Sequence, residues 1–155
     1  MAIRDIIEMG DEKLYKKSHE ITNFDSKLHT LLDDMADTMY NAEGVGLAAV
    51  QIGILRRVVV IDVGEGLYEI INPVITHKEG SQYGQEGCLS VPGKRGDVER
   101  PMKVTFEAFD RNGKKFSKTV EGLFARCVCH EFDHLDGKLY IQSADNIIDI
   151  SKDLD

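Results

Sequence analysis

GLFARCVCHEFDHLDG, residues 122–137, decides how the chain is read. From Leu123 to Leu135 the apolar positions recur with helical period and no Gly or Pro interrupts them. The stretch therefore predicts a helix that ends at Asp136-Gly137. His130 and His134 stand four apart on it and project from one face, a turn apart, which suits two ligands of a single metal ion. Glu131 flanks that face and could reach water at such a metal without ligating it. The plain alternative is a pair of solvated surface histidines. Only a third ligand would displace it.

Upstream of this helix the pattern changes to that of strands. KVTFEAFD (103–110) alternates, and Asn112-Gly113 is a strong hairpin turn before KKFSKTVEG. VVVIDV (58–63) is a β-branched run, turned by GEG (64–66) into LYEIINPVI. Earlier still, DSKLHTLLDDMADTMYNA (25–42) spaces Leu28, Leu31, Leu32, Met35 and Met39 as one helical face, with Gly44 where a C-cap glycine belongs. With no repeat and no linker, the 155 residues predict one domain over 1–155 of α+β class. Antiparallel sheets pack around a central helix carrying the HEFDH motif, and a second helix lies near the N-terminus.

The charge balance narrows the function. A net charge of −8 argues against a DNA or RNA binder, which needs a basic face. The first residues, MAIRDIIEMGDEKLYKK, carry no signal-peptide core, and the longest apolar stretch (44–55) is too short to span a bilayer. The chain is expected to be cytoplasmic, with no membrane partner. Three cysteines, two of them as Cys127-x-Cys129, make no disulfide framework, so each is either core or ligand.

The third metal ligand is found by elimination. The 21 residues after His134 contain no His and no Cys; Asp136, Asp145 and Asp149 are only weak candidates there, so the third ligand is sought upstream. Cys127 shares the helical stripe of His130 and His134. It lies roughly 10 Å along the axis from position 134, which a Cys side chain cannot bridge. Cys129 points roughly 100° away from His130. Cys88, in QEGCLSVPG, sits in a Gly-flanked segment expected to be irregular, from which a thiolate can be aimed at a helix face. One Cys and two His leave a fourth position to water, which is the open arrangement of a catalytic site.

Three segments then resemble the signatures of one family, the peptide deformylases, in the same order and over nearly the whole chain. GVGLAAVQ (44–51) is similar to the first, EGCLS (86–90) to the second and HEFDHLDG (130–137) to the third. The resemblance implies removal of the N-terminal formyl group from formyl-methionine of nascent polypeptides, with release of formate. It implies that Cys88, His130 and His134 ligate one divalent metal ion, natively ferrous iron, with zinc, nickel or cobalt as substitutes. Glu131 would be general base and then acid, while Gln51 and the backbone N–H of Leu89 would donate to the formyl oxygen. Gly44, Val45 and Gly46 would pair with the substrate backbone as an added strand, and Arg95 would reach substrate carbonyls. Leu123, Arg126 and Cys127 would wall the methionine side-chain pocket.

The sequence departs from the family pattern at Cys129, where Gln is common, and in the absence of a long basic C-terminal helix of the kind that docks some relatives on the ribosome. Transient ribosome proximity is the expectation that remains. A zincin-like metallopeptidase is the rival enzyme, and the missing downstream ligand speaks against it. A non-catalytic metal-stabilised binding module is the rival of another class, and it has no need of Glu131.

Overall fold

The structure is a computed structural model that describes residues 2–150; Met1 and residues 151–155 of the expected domain lie outside the described residues. Ten elements organise it. Helix α1 (Ser26–Asn41) precedes strands β1 (Gly46–Ala48), β2 (Val58–Ile61) and β3 (Tyr68–Glu79). Strands β4 (Gln82–Cys88), β5 (Val91–Arg100), β6 (Lys103–Phe109) and β7 (Lys115–Glu121) lead into helix α2 (Gly122–Leu135), and β8 (Asp145–Asp149) follows. All pairings between these strands are antiparallel, in a five-stranded sheet β1-β2-β3-β6-β7 and a three-stranded sheet β4-β5-β8. The α+β class expected from the sequence is the class observed.

The five-stranded sheet separates two apolar clusters, and β2 shows how. Its residues are buried on both faces: Val59 and Ile61 join a cluster with α2, while Val58 and Val60 join one with α1. Burial on both sides is why this strand reads as an unbroken β-branched run. Helix α1 contributes Leu28, Leu31, Leu32, Met35 and Met39 to its cluster, the face its spacing predicts. Each such side chain removed from water contributes about 1.5–3 kcal/mol.

Helix α2 runs through the other cluster with Phe124, Ala125, Val128, Phe132 and Leu135 buried. Burial all round is the condition of a central helix. Phe132 meets Phe106 of β6 edge-on, with ring centroids 5.4 Å apart. The helix ends as expected: Gly137 has φ +76 and its N–H donates to the His134 carbonyl.

Three local expectations are corrected. The residue with left-handed backbone after α1 is Glu43 (φ 58), not Gly44. A Cβ at Gly44 would lie 2.8 Å from Leu89 Cδ1, so glycine there lets the Leu89 side chain approach the backbone closely. The segment around Cys88 is not irregular but the end of β4, bulged between Glu86 and Cys88, with Cys88 opposite Val91 across a turn at Leu89-Ser90. The apolar run from Val58 forms a strand only to Ile61, and β3 continues to Glu79, past a register shift between Ile71 and Val74 that accommodates Pro73.

Candidate metal centre and active site

Two elements bring the ligand candidates together. Helix α2 presents His130 and His134 one turn apart, and the tip of the β4–β5 hairpin presents Cys88. Cys88 Sγ and one ring nitrogen of each histidine all lie within 4.8 Å of one another. His134 Nε2 is 3.3 Å from Cys88 Sγ. His130 Nδ1 is hydrogen-bonded to Glu86 Oε1 at 2.9 Å, so its Nε2 is the atom left for a ligand. The fold places Cys88, the candidate reached by elimination, beside both histidines.

Glu86 is the residue that organises this centre. Its buried carboxylate accepts from Arg100 Nε and Nη2 at 2.8 and 3.0 Å, from Arg126 Nη1 at 2.7 Å, and bonds His130. Burial alone would push the Glu86 carboxyl up; the bonds from Arg100 and His130 outweigh it and hold it down at about 2. A carboxylate on the far nitrogen of a metal-binding imidazole fixes the ring and its tautomer. Arg126 also donates to the Gly84 and Val98 carbonyls, so its guanidinium ties α2 to β4 and β5.

The electrostatics fit a cation. Burial pushes His134 well below the ordinary imidazole value, so it is a neutral ring with a lone pair to give. Burial would lower His130 too, but Cys88 and Glu86 outweigh it and hold its proton well above the ordinary value. The negative surroundings that retain that proton favour a divalent cation in its place. One Cys and two His are a donor set that borderline transition metals take.

Glu131 completes the centre. Its Oε1 is buried with no hydrogen-bond partner, and its Oε2 is 4.0 Å from His130 Nε2. Burial pushes its carboxyl up to about 7, only partly offset by His130. A carboxyl near neutrality can both accept and return a proton. Gly46 makes room for it, since a Cβ at that position would lie 2.7 Å from Glu131 Oε2.

These groups open onto a cavity of about 560 Å³. Gly44, Val45, Gly46 and Gln51 form one side; Cys88, Leu89 and Arg95 come from the hairpin; Leu123, Arg126, Cys127, His130 and Glu131 come from α2. Of the residues expected from the sequence, His134 alone does not line the cavity and lies buried behind the others. Leu123 is exposed at the rim, and Cys127 is a buried wall whose thiol is pushed up to about 12 by burial. Glu43, Gln85, Pro92, Gly93 and Ile150 also line the cavity and were not singled out by the sequence. They share no chemistry or spacing that would have marked them. Glu86 stands inside the EGCLS segment, so the signature contained it, but its three partners lie 14 to 44 residues away.

A cysteine and an imidazole lining a cavity, with a second imidazole buried behind them and a carboxyl group with an unpartnered oxygen beside them, define a metal-dependent hydrolase on an α+β scaffold. The relatives narrow that class. The family model described as polypeptide deformylase matches residues 3–148. A peptide deformylase of Thermoanaerobacter pseudethanolicus is 55% identical over 149 residues, covering 96% of this chain and 94% of that protein. One from Caldicellulosiruptor bescii is 57% identical over 141 residues, 91% of this chain and 85% of the other. Among solved structures, a peptide deformylase from Legionella pneumophila superposes with a TM-score of 0.91 at 47% identity, over 94% of this chain and 88% of that one. One from Synechococcus elongatus in complex with actinonin superposes at 0.89 with 39% identity, over 92% and 79%. The chain belongs to the polypeptide deformylase family.

Proposed function

We propose that this enzyme hydrolyses the N-terminal formyl group of formyl-methionyl nascent peptides, releasing formate, and that Cys88, His130 and His134 hold its divalent metal ion. The observation that carries the reading is the convergence of those three donor atoms within 4.8 Å beside the buried, unpartnered oxygen of Glu131. Ferrous iron is the proposed native ion, with zinc, nickel or cobalt able to replace it. When bound, the ion supplies Lewis acidity, acidifying water and polarising a carbonyl oxygen.

The chain's own residues do the rest. Gly44, Val45 and Gly46 lie at one side of the cavity, where an extended peptide can pair with them as a further strand. Leu123, Cys127 and the stem of Arg126 wall the space for the methionine side chain, and Arg95 faces the peptide's carbonyls. Gln51 and the Leu89 N–H donate to the formyl oxygen as charge develops on it, each worth about 3 kcal/mol in the transition state. Glu131 takes the proton of the attacking water and returns it to the departing nitrogen, so no free amide anion has to leave. The peptides emerge at the ribosome in the cytoplasm, which is where we place the enzyme. No helix among the described residues is long and apolar enough to cross a membrane.

The test is formate release from a formyl-methionyl tripeptide. The expected result is stoichiometric formate and a free methionine amine, with an acetyl-methionyl peptide of the same sequence left intact. Cleavage of internal peptide bonds would mean a metallopeptidase, and metal binding with no hydrolysis at all would mean a binding module.

A further inference from the structure

Gln51 is almost wholly buried, and its carboxamide is held at both ends. Its Oε1 accepts from the Ala48 N–H at 2.9 Å. Its Nε2 donates to Ser90 Oγ at 3.1 Å and, over a longer 3.6 Å contact, to Cys88 Sγ. A primary amide has two N–H bonds fixed in its plane. With one spent on Ser90, the other makes only the long contact to Cys88 Sγ, on the side where the cavity lies. Ser90 is completely inaccessible to solvent and immobilised in turn: the Met9 N–H donates to its carbonyl at 2.7 Å. Two residues earlier, the Ile7 N–H donates to the Gln51 carbonyl at 2.8 Å. One N-terminal segment thus clamps both the turn that carries Gln51 and the hairpin tip that carries Cys88, Leu89 and Ser90.

We infer that Ser90 is a positioning residue whose hydroxyl orients the Gln51 carboxamide, so that its second N–H meets the oxygen on which charge develops. The inference rests on the reading of Gln51 as a donor to that oxygen. Without the hydroxyl, the amide would keep the bond from the Ala48 N–H and the long contact of Nε2 with Cys88 Sγ but lose its shorter nitrogen contact, so its N–H bonds would be held less tightly in direction. A donor is effective in a transition state only if it is already aimed there.

The experiment is a double-mutant cycle on Ser90→Ala and Gln51→Ala, with metal content and thermal unfolding recorded for each variant. Ser90→Ala is expected to lower kcat about tenfold, a part of the hundredfold or more that a lost donor costs, with KM within about twofold. In the Gln51→Ala background the same change should have almost no further effect on kcat. Independently of turnover, the Gln51 side-chain amide of the zinc-loaded protein should give a rigid heteronuclear NOE in the parent and a mobile one in Ser90→Ala. Ser90→Thr, which keeps the hydroxyl, should restore the rigid amide and most of kcat. If Ser90→Ala is as fast as the parent while Gln51→Ala is slow, or if it costs equally in both backgrounds, the inference is overturned and the role of Gln51 stands. If Gln51→Ala turns over normally, the reading beneath it fails and the inference falls with it.

Discussion

At the level of single residues, the centre divides into groups the sequence announces and groups it hides. His130, Glu131 and His134 are legible because helical spacing is local: four residues set two rings on one face whatever the rest of the chain does. Cys88 is legible by exclusion, since geometry removes Cys127 and Cys129. Glu86 is not legible from pattern, because its contacts with Arg100, Arg126 and His130 exist only after β4, β5 and α2 have met. Cys129 tests the direction of the helix. It is buried in the apolar cluster, lines no part of the cavity, and burial pushes its thiol up, so it is neutral. Cys129→Gln should leave kcat within a few fold in a formate-release assay. The same variant should unfold at lower temperature, because an enlarged polar side chain enters a packed site at a cost of about 1–3 kcal/mol. A hundredfold loss of turnover would show that position 129 serves the site.

At the level of elements, α1, α2, β2, β3, β6 and β7 follow from periodicity and turn chemistry, while β4, β5 and β8 do not. Residues 82–100 carry Gly84, Gly87, Gly93 and Gly96 among charged side chains, which masks any alternation. β8 is exposed along its whole length and so shows no inward-outward contrast. Two of these glycines sit at close approaches that only the fold creates: a side chain at Gly87 would run into the Arg95 guanidinium, and one at Gly96 would meet Ala144. The C-terminal stop of α2 shows the same coupling. Gly137 is left-handed, and a Cβ there would lie 2.6 Å from the backbone carbonyl of Tyr15. Gly137→Ala should therefore cost at least about 1–3 kcal/mol, read as a fall in melting temperature of some 2–10 °C. An unchanged melting temperature would contradict both the left-handed strain at this position and the close approach of Tyr15.

Across the whole molecule, the N-terminal segment joins distant parts in a way that no sequence period foretells. Arg4 donates to Asp34 Oδ2 through Nε at 2.9 Å and Nη2 at 2.7 Å, and the Ala2 N–H reaches Asp34 Oδ1 at 2.8 Å. That anchors the segment on α1 before its Ile7 and Met9 amides reach the site. The bond from Arg4 outweighs burial and holds the Asp34 carboxyl below its ordinary value of 3.8. A carboxyl depressed in the folded state stabilises it above its unfolded value and loses that contribution as pH falls through the folded one. The difference in unfolding free energy between the parent and Asp34→Asn, from urea titrations, should be constant from pH 5 to 8 and shrink below about pH 4. A difference undiminished at pH 3 would mean that the charge of Asp34 contributes nothing.

The role of Glu131 is where ligand geometry, burial and chemistry meet, and Glu131→Gln separates them. The carboxyl group lies beside the cluster of Cys88, His130 and His134 and outside it, so on the proposed ligand set the variant should purify with the parent's metal content. An amide of the same size cannot accept the proton of the attacking water, and general acid–base help is worth typically 10²–10⁴-fold. The decisive measurement is metal stoichiometry and kcat for formate release on one preparation of Glu131→Gln. The expected result is near-stoichiometric metal, near-parental KM and a fall in kcat of at least about a hundredfold. Loss of the metal would make Glu131 a ligand or an indispensable support of one, and full turnover with metal bound would contradict the proton transfer assigned to it.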